Sequence, residues 1–172
     1  MTLRLLIWTT CVYFAAFIAV VYFTRATARR AIGALIGGAA AGAFFCAVVF
    51  VAQRVGWWRS PLPVTTGLLV LFYIASAISW SPIYPITWRV ARRFRGPGVG
   101  ICIIAAAVIG PPRDYLIAAL HPEWIVFARG LVPILVVSAT YAGVVALGHL
   151  VMRYVAGPAQ GDRLVQRSRE AA

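Results

Sequence analysis

Apolar residues fill five stretches of this chain almost without a break, and the polar positions between them are few and rich in arginine. The first stretch runs from Leu5 to Phe23, bracketed by Arg4 and Arg25, and the second from Ala31 to about Ala52, ending at Gln53-Arg54. A third begins near Pro63 and fades between Ser81 and Pro85. A fourth extends from Val99 to Leu120 and contains Gly110-Pro111-Pro112; a fifth extends from Ile125 to Met152. At about 1.5 Å per residue, helices of these lengths measure roughly 28–40 Å, enough to cross a hydrocarbon layer of about 30 Å with tilt. The runs are continuous rather than alternating, which disfavours barrel strands. The pattern predicts an all-α membrane protein with five transmembrane helices over residues 1–156, the fourth broken at Pro111-Pro112. A short polar cytoplasmic tail follows over 157–172.

Composition agrees with this pattern. Of 172 residues, 62% are hydrophobic and 12% charged, whereas soluble domains carry about 25% charge. A water-soluble fold of this size has too little interior to hide so much apolar surface. The length suits one helical domain, and no period of repeats is visible.

The net charge of +12 comes from sixteen arginines and no lysine. The arginines sit at the ends of apolar runs rather than in one basic stripe, so nucleic acid is not the expected partner. With five crossings, Arg25, Arg29, Arg30, Arg89, Arg92, Arg93, Arg95, Arg153, Arg163, Arg167 and Arg169 fall on one side. Arg4, Arg54, Arg59, Arg113 and Arg129 fall on the other. Eleven against five, by the positive-inside rule, predicts an outside N-terminus and a cytoplasmic C-terminus in a bacterial inner membrane. Ala26-Thr27-Ala28 has the form of a signal-peptide cleavage site. Against cleavage, the preceding apolar run is long for a signal peptide, and three arginines follow it where only Arg4 precedes it.

Cys11, Cys46 and Cys102 each lie within an apolar run; their odd number and spacing indicate neither a disulfide framework nor a thiolate metal site. His121 is expected near the outer surface and His149 near the cytoplasmic end of the fifth span, so no metal ligand set is expected, and no cofactor is implied. The motifs of serine hydrolases and zinc peptidases are absent from the sequence.

Two constellations carry more information. Gly33, Gly37, Gly38 and Gly42 provide small residues at four-residue spacing, a groove for close helix approach. It suits packing within the bundle, or contact with other membrane proteins or a second copy. The second constellation is polar: Gly110-Pro111-Pro112-Arg113-Asp114-Tyr115, continuing to His121-Pro122-Glu123-Trp124. Arg113-Asp114 is expected in the outer third of the bilayer, where ionisable groups face protein, a partner charge or a wet cavity. Asp114, Ala118 and His121 share a helical face, and Arg129 is an expected ion-pair partner for Asp114 or Glu123. One reading is a polar pocket that binds an anionic headgroup or relays a proton; the other is a neutralised ion pair fixing a broken helix.

On the arginine-rich side, Arg89, Arg92, Arg93 and Arg95 precede Gly96-Pro97-Gly98 and read as an orientation signal in contact with anionic lipid. The leading functional expectation is a non-enzymatic membrane protein, a transport component or a subunit of a membrane complex. The alternative is a membrane-embedded enzyme acting on a lipid or isoprenoid. Its acid/base candidates are Asp114, His121 and Glu123, with Arg113 or Arg129 holding an anion.

Overall fold

A computed structural model describes residues 3–59 and 66–158. The expected start of the third span near Pro63, and most of the polar tail, lie outside the described residues. The chain is mostly helical, in the order α1 (Leu3–Thr24), α2 (Ala28–Val55), β1 (Trp58–Arg59), α3 (Thr66–Trp80), α4 (Ile83–Leu120), β2 (Val126–Phe127) and α5 (Leu131–Ala156). Four helical stretches are long and apolar enough to cross a membrane: Leu6–Thr24, Ala28–Val55, Leu68–Leu120 and Leu131–Ala156. Their outward positions carry large apolar side chains, including Trp8, Phe50, Ile104, Val108 and Leu135. Such a surface is stable against hydrocarbon and costly against water.

Helix ends follow local rules. At the end of α1, Arg25 takes φ 49° and the Ala26 N–H reaches the Val21 carbonyl at 3.0 Å. At the end of α2, Gly56 takes φ 84° and the Trp57 N–H reaches the Ala52 carbonyl at 2.9 Å. Both are Schellman closures, which satisfy carbonyls the helix leaves open. Arginines from other helices serve the same need. Arg29 Nε donates to the Val155 carbonyl at 2.9 Å, and Arg89 Nη1 to the Phe23 carbonyl at 3.2 Å. A cation at a helix C-terminus also opposes the negative end of its dipole.

The four glycines of α2 face α5 and α3 of the same chain. Gly33 lies against Met152, Gly37 against the Gly148 backbone, Gly38 against Ser81, and Gly42 against Ala77. A Cβ at Gly37 would lie 2.5 Å from the Gly148 carbonyl oxygen, so this approach requires glycine. Around the seam, Phe17, Ala34, Ala41, Tyr84, Trp88, Ala91, Val144 and Met152 form one buried cluster. Ala52, Trp58, Val137 and Tyr141 form a second, toward the other end.

The third apolar stretch is 53 residues long, about 80 Å if straight and more than twice a bilayer core. It is not straight. The chain turns at Ser81-Pro82 between α3 and α4, and within α4 Arg95 leaves helical geometry at φ 57°, ψ −145°. Beyond it, Gly98 packs back against Val90 and Phe94. The expected break at Pro111-Pro112 does not occur: the backbone stays helical there, and Arg95 is the non-helical residue within α4. Gly110 helps explain this, because the clash that proline imposes on its predecessor acts partly through a Cβ that glycine lacks.

Residues 125–130 also depart from the expected fifth span, since α5 begins at Leu131. Trp58 pairs with Phe127 and Arg59 with Val126 in a two-stranded antiparallel ladder. The Ala128 N–H extends it to the Trp57 carbonyl at 2.9 Å. Trp58 meets Phe127 edge-on at 5.7 Å, and Tyr115 stacks on Phe127 at 4.4 Å.

Candidate functional site

Within α4, Arg113 and Asp114 project toward α5, which carries Tyr141 in a largely apolar helix. Arg113 Nη1 donates to the Tyr141 hydroxyl at 2.6 Å, and that hydroxyl donates to Asp114 Oδ1 at 2.7 Å. Arg113 Nη1 also lies 3.3 Å from the same carboxylate oxygen, and Arg113 Nη2 is 3.4 Å from the Tyr13 hydroxyl of α1. Three helices therefore meet at one polar cluster. Gly110, one turn before Asp114, admits the Tyr141 ring: a Cβ there would lie 2.5 Å from it. In an apolar setting each of these groups would be costly alone, and the mutual bonds offset much of that cost.

The cluster forms one wall of a cavity of about 720 Å³. The rest of the lining is chiefly apolar: Leu6 of α1; Phe45, Cys46, Val49 and Phe50 of α2; Leu68, Leu69 and Phe72 of α3; Ile117 of α4; Val137 of α5. Trp58, Trp124, Ile125 and Phe127 line it from the strand-pair end, and Gln53, Tyr73 and Thr140 add polar atoms. Small-molecule sites commonly occupy about 300–1,000 Å³ with mostly apolar walls and a few convergent polar groups, which matches this space. Both printed bonds of Asp114 use Oδ1. The second oxygen, Oδ2, has no partner among the described residues, and the side chain keeps 24% exposure.

The other candidates lie apart. His121 ends α4, stacks on Trp124 at 3.9 Å, and places Nδ1 3.2 Å from Glu123 Oε1. Neither His121 nor Glu123 lines the cavity. Arg129 lies in the loop before α5 rather than a turn into a helix, and it is exposed. The expected ion pair of Arg129 with Asp114 or Glu123 does not form, because Asp114 pairs with Arg113 and Glu123 with His121. Of the sequence candidates, the structure brings Arg113 and Asp114 to the cavity and leaves His121, Glu123 and Arg129 outside its lining.

Tyr141 and Tyr13 were not evident from the sequence as members of this group. The available signal was weak: Thr140-Tyr141 is a polar pair within a long apolar run. Toward the arginine-rich end a separate buried polar contact joins Thr87 Oγ1 to His149 Nδ1 at 2.9 Å, and the Tyr84 hydroxyl donates to the Val144 carbonyl at 3.1 Å. His149 is thus packed between helices. Among the described residues, no group of three or more His, Cys, Asp or Glu side chains is placed to hold a metal ion.

No protein-family profile, curated protein or solved structure matches this chain.

Proposed function

We propose that this protein is a non-enzymatic, five-crossing membrane protein that binds an amphiphile, an apolar chain with a small polar head, as part of transport or of a membrane complex. The observation that carries the reading is the cavity of about 720 Å³ with an apolar wall and the Arg113–Asp114–Tyr141 cluster on one side. Because Arg113 and Asp114 neutralise each other, the fitting head is a hydrogen-bonding group such as a hydroxyl. It would accept from Arg113 and donate to the free oxygen of Asp114. The chain would lie along Val49, Phe45 and Phe72.

The five-crossing reading divides the 53-residue stretch in two. On this reading α3 and the first part of α4 make one crossing, and the part of α4 after Arg95 makes the next. The arginine excess supports a cytoplasmic C-terminus in a bacterial cell. The enzymatic alternative, action on a lipid or isoprenoid, would rest on Asp114 alone of the three acid/base candidates, since only it lines the cavity.

The test is lipid retention. Protein purified in mild detergent should carry an amphiphile identifiable by mass spectrometry. Val49→Trp, which fills the cavity from α2, should release it while leaving the protein folded. Equal retention by a folded Val49→Trp variant would contradict the proposal.

A further inference from the structure

The cavity wall holds a second polar group, which the Arg113–Asp114–Tyr141 cluster does not use. Gln53 lines the cavity from the end of α2. With Cys46, Val49 and Phe50 it forms the face of that helix turned to the cavity, the four positions recurring at three- and four-residue steps. Gln53 is exposed, and its carboxamide has no hydrogen-bond partner among the described residues. Thr140 and Tyr73, also in the lining, spend their hydroxyl protons on the Val136 and Ala39 carbonyls. The Trp58 indole N–H, in the same wall, is buried without an acceptor among the described residues. This side of the wall therefore has more donors than acceptors. Ala52, the neighbour of Gln53, packs in one buried cluster with Trp58 and Tyr141. Tyr141 is the phenol that bonds Arg113 and Asp114, so Gln53 lies level with the polar cluster.

The charged residues in the lining are Arg113 and Asp114, which pair with each other. A charged head would enter this apolar space without a counter-charge of its own, so a neutral one fits. A head with a single hydroxyl satisfies the open oxygen of Asp114 and leaves the Gln53 amide unbonded. Once a ligand displaces water from the wall, an unbonded amide is costly. A second oxygen removes that cost. Because Gln53 lies level with Asp114, this oxygen belongs on the same head, not at the far end of the apolar chain. We propose that the ligand is a neutral lipid whose head carries two neighbouring oxygens, the class of the monoacylglycerols. One hydroxyl bonds Arg113 and Asp114; the second oxygen, ester or hydroxyl, accepts from Gln53 Nε2. This assignment rests on the amphiphile reading of the cavity and adds Gln53 as the residue that tells such a head from that of a simple long-chain alcohol.

The full-length protein, delipidated in a neutral detergent, provides the test with monoolein and oleyl alcohol, which share one apolar chain and differ in the head. Native mass spectrometry at matched lipid concentrations reads the bound fraction. Monoolein should bind about two- to ten-fold tighter, the range of one net hydrogen bond. Gln53→Met, at an exposed position, should bring monoolein down to the level of oleyl alcohol and leave oleyl alcohol binding unchanged. Val49→Trp, which fills the cavity, should abolish binding of both. Equal binding of the two lipids by the parent, an undiminished monoolein preference in Gln53→Met, or a loss of both lipids together in that variant would overturn the assignment and leave the amphiphile reading standing. Binding of neither lipid by the parent, or of both by Val49→Trp as by the parent, would remove the amphiphile reading itself and this assignment with it.

Discussion

The Tyr141 hydroxyl accepts a hydrogen bond from Arg113 at 2.6 Å and donates one to Asp114 at 2.7 Å, so one phenol links both charges of α4 to α5. A tyrosine 28 residues from its guanidinium partner thereby bonds both charges within the bundle. Tyr141→Phe keeps the ring against Gly110 and removes only the link. It should lower stability by about 1–3 kcal/mol, because two polar groups lose a partner without gaining water. Thermal melts in detergent measure this directly. Combined with Asp114→Asn, the loss should be smaller than the sum of the single losses, since both changes break one network.

Close helix approach makes a second prediction. Tyr84 lies across Gly148, where any Cβ would overlap its ring, and Gly37 meets the same residue from α2. Gly148→Ala should therefore force the α2–α4–α5 seam apart, costing about 1–3 kcal/mol or more. Gly100→Ala, with open space around its Cβ, should be near neutral. The comparison of melting temperatures or detergent-extractable yield checks the pair, and equal effects would contradict tight packing at Gly148.

Much of this architecture was legible in the sequence, because lipid imposes long apolar runs that need no partner to be recognised. The first and second spans, read as Leu5–Phe23 and Ala31–Ala52, became helices Leu3–Thr24 and Ala28–Val55. The α2 glycine spacing marked a packing groove, and Arg113-Asp114 marked the polar wall. What escaped depends on contacts between distant segments. The ladder of Trp58–Arg59 with Val126–Phe127 joins connections far apart in sequence, so Ile125–Phe127 looked like the start of a helix. Tyr141 carried only a weak local signal and Tyr13 none, because what gives them their role is a guanidinium on another helix. Pro111-Pro112 looked like a break because proline removes two backbone donors. The chain departs from helical geometry at Arg95 instead, where a left-handed φ on a non-glycine residue turns the backbone.

The proposed five crossings would place the termini on opposite faces of the membrane. Reporter tags at the two ends, probed with protease in intact spheroplasts, should show an accessible N-terminus and a protected C-terminus. Both termini on one face would mean that the 53-residue stretch does not make two crossings, and the arginine-rich end would need reassignment.

The central claim is that an amphiphile occupies the cavity, and the native cysteines report on it. Cys46 lies in the cavity wall, whereas Cys11 and Cys102 do not line it. In native membranes, a small membrane-permeant thiol reagent should modify Cys46 slowly, and the rate should rise on delipidation or in Val49→Trp protein stripped of its ligand. Cys11 and Cys102 should change little under the same treatment. Cys46 reacting at one unchanged rate in native, stripped and variant protein would contradict an occupied cavity.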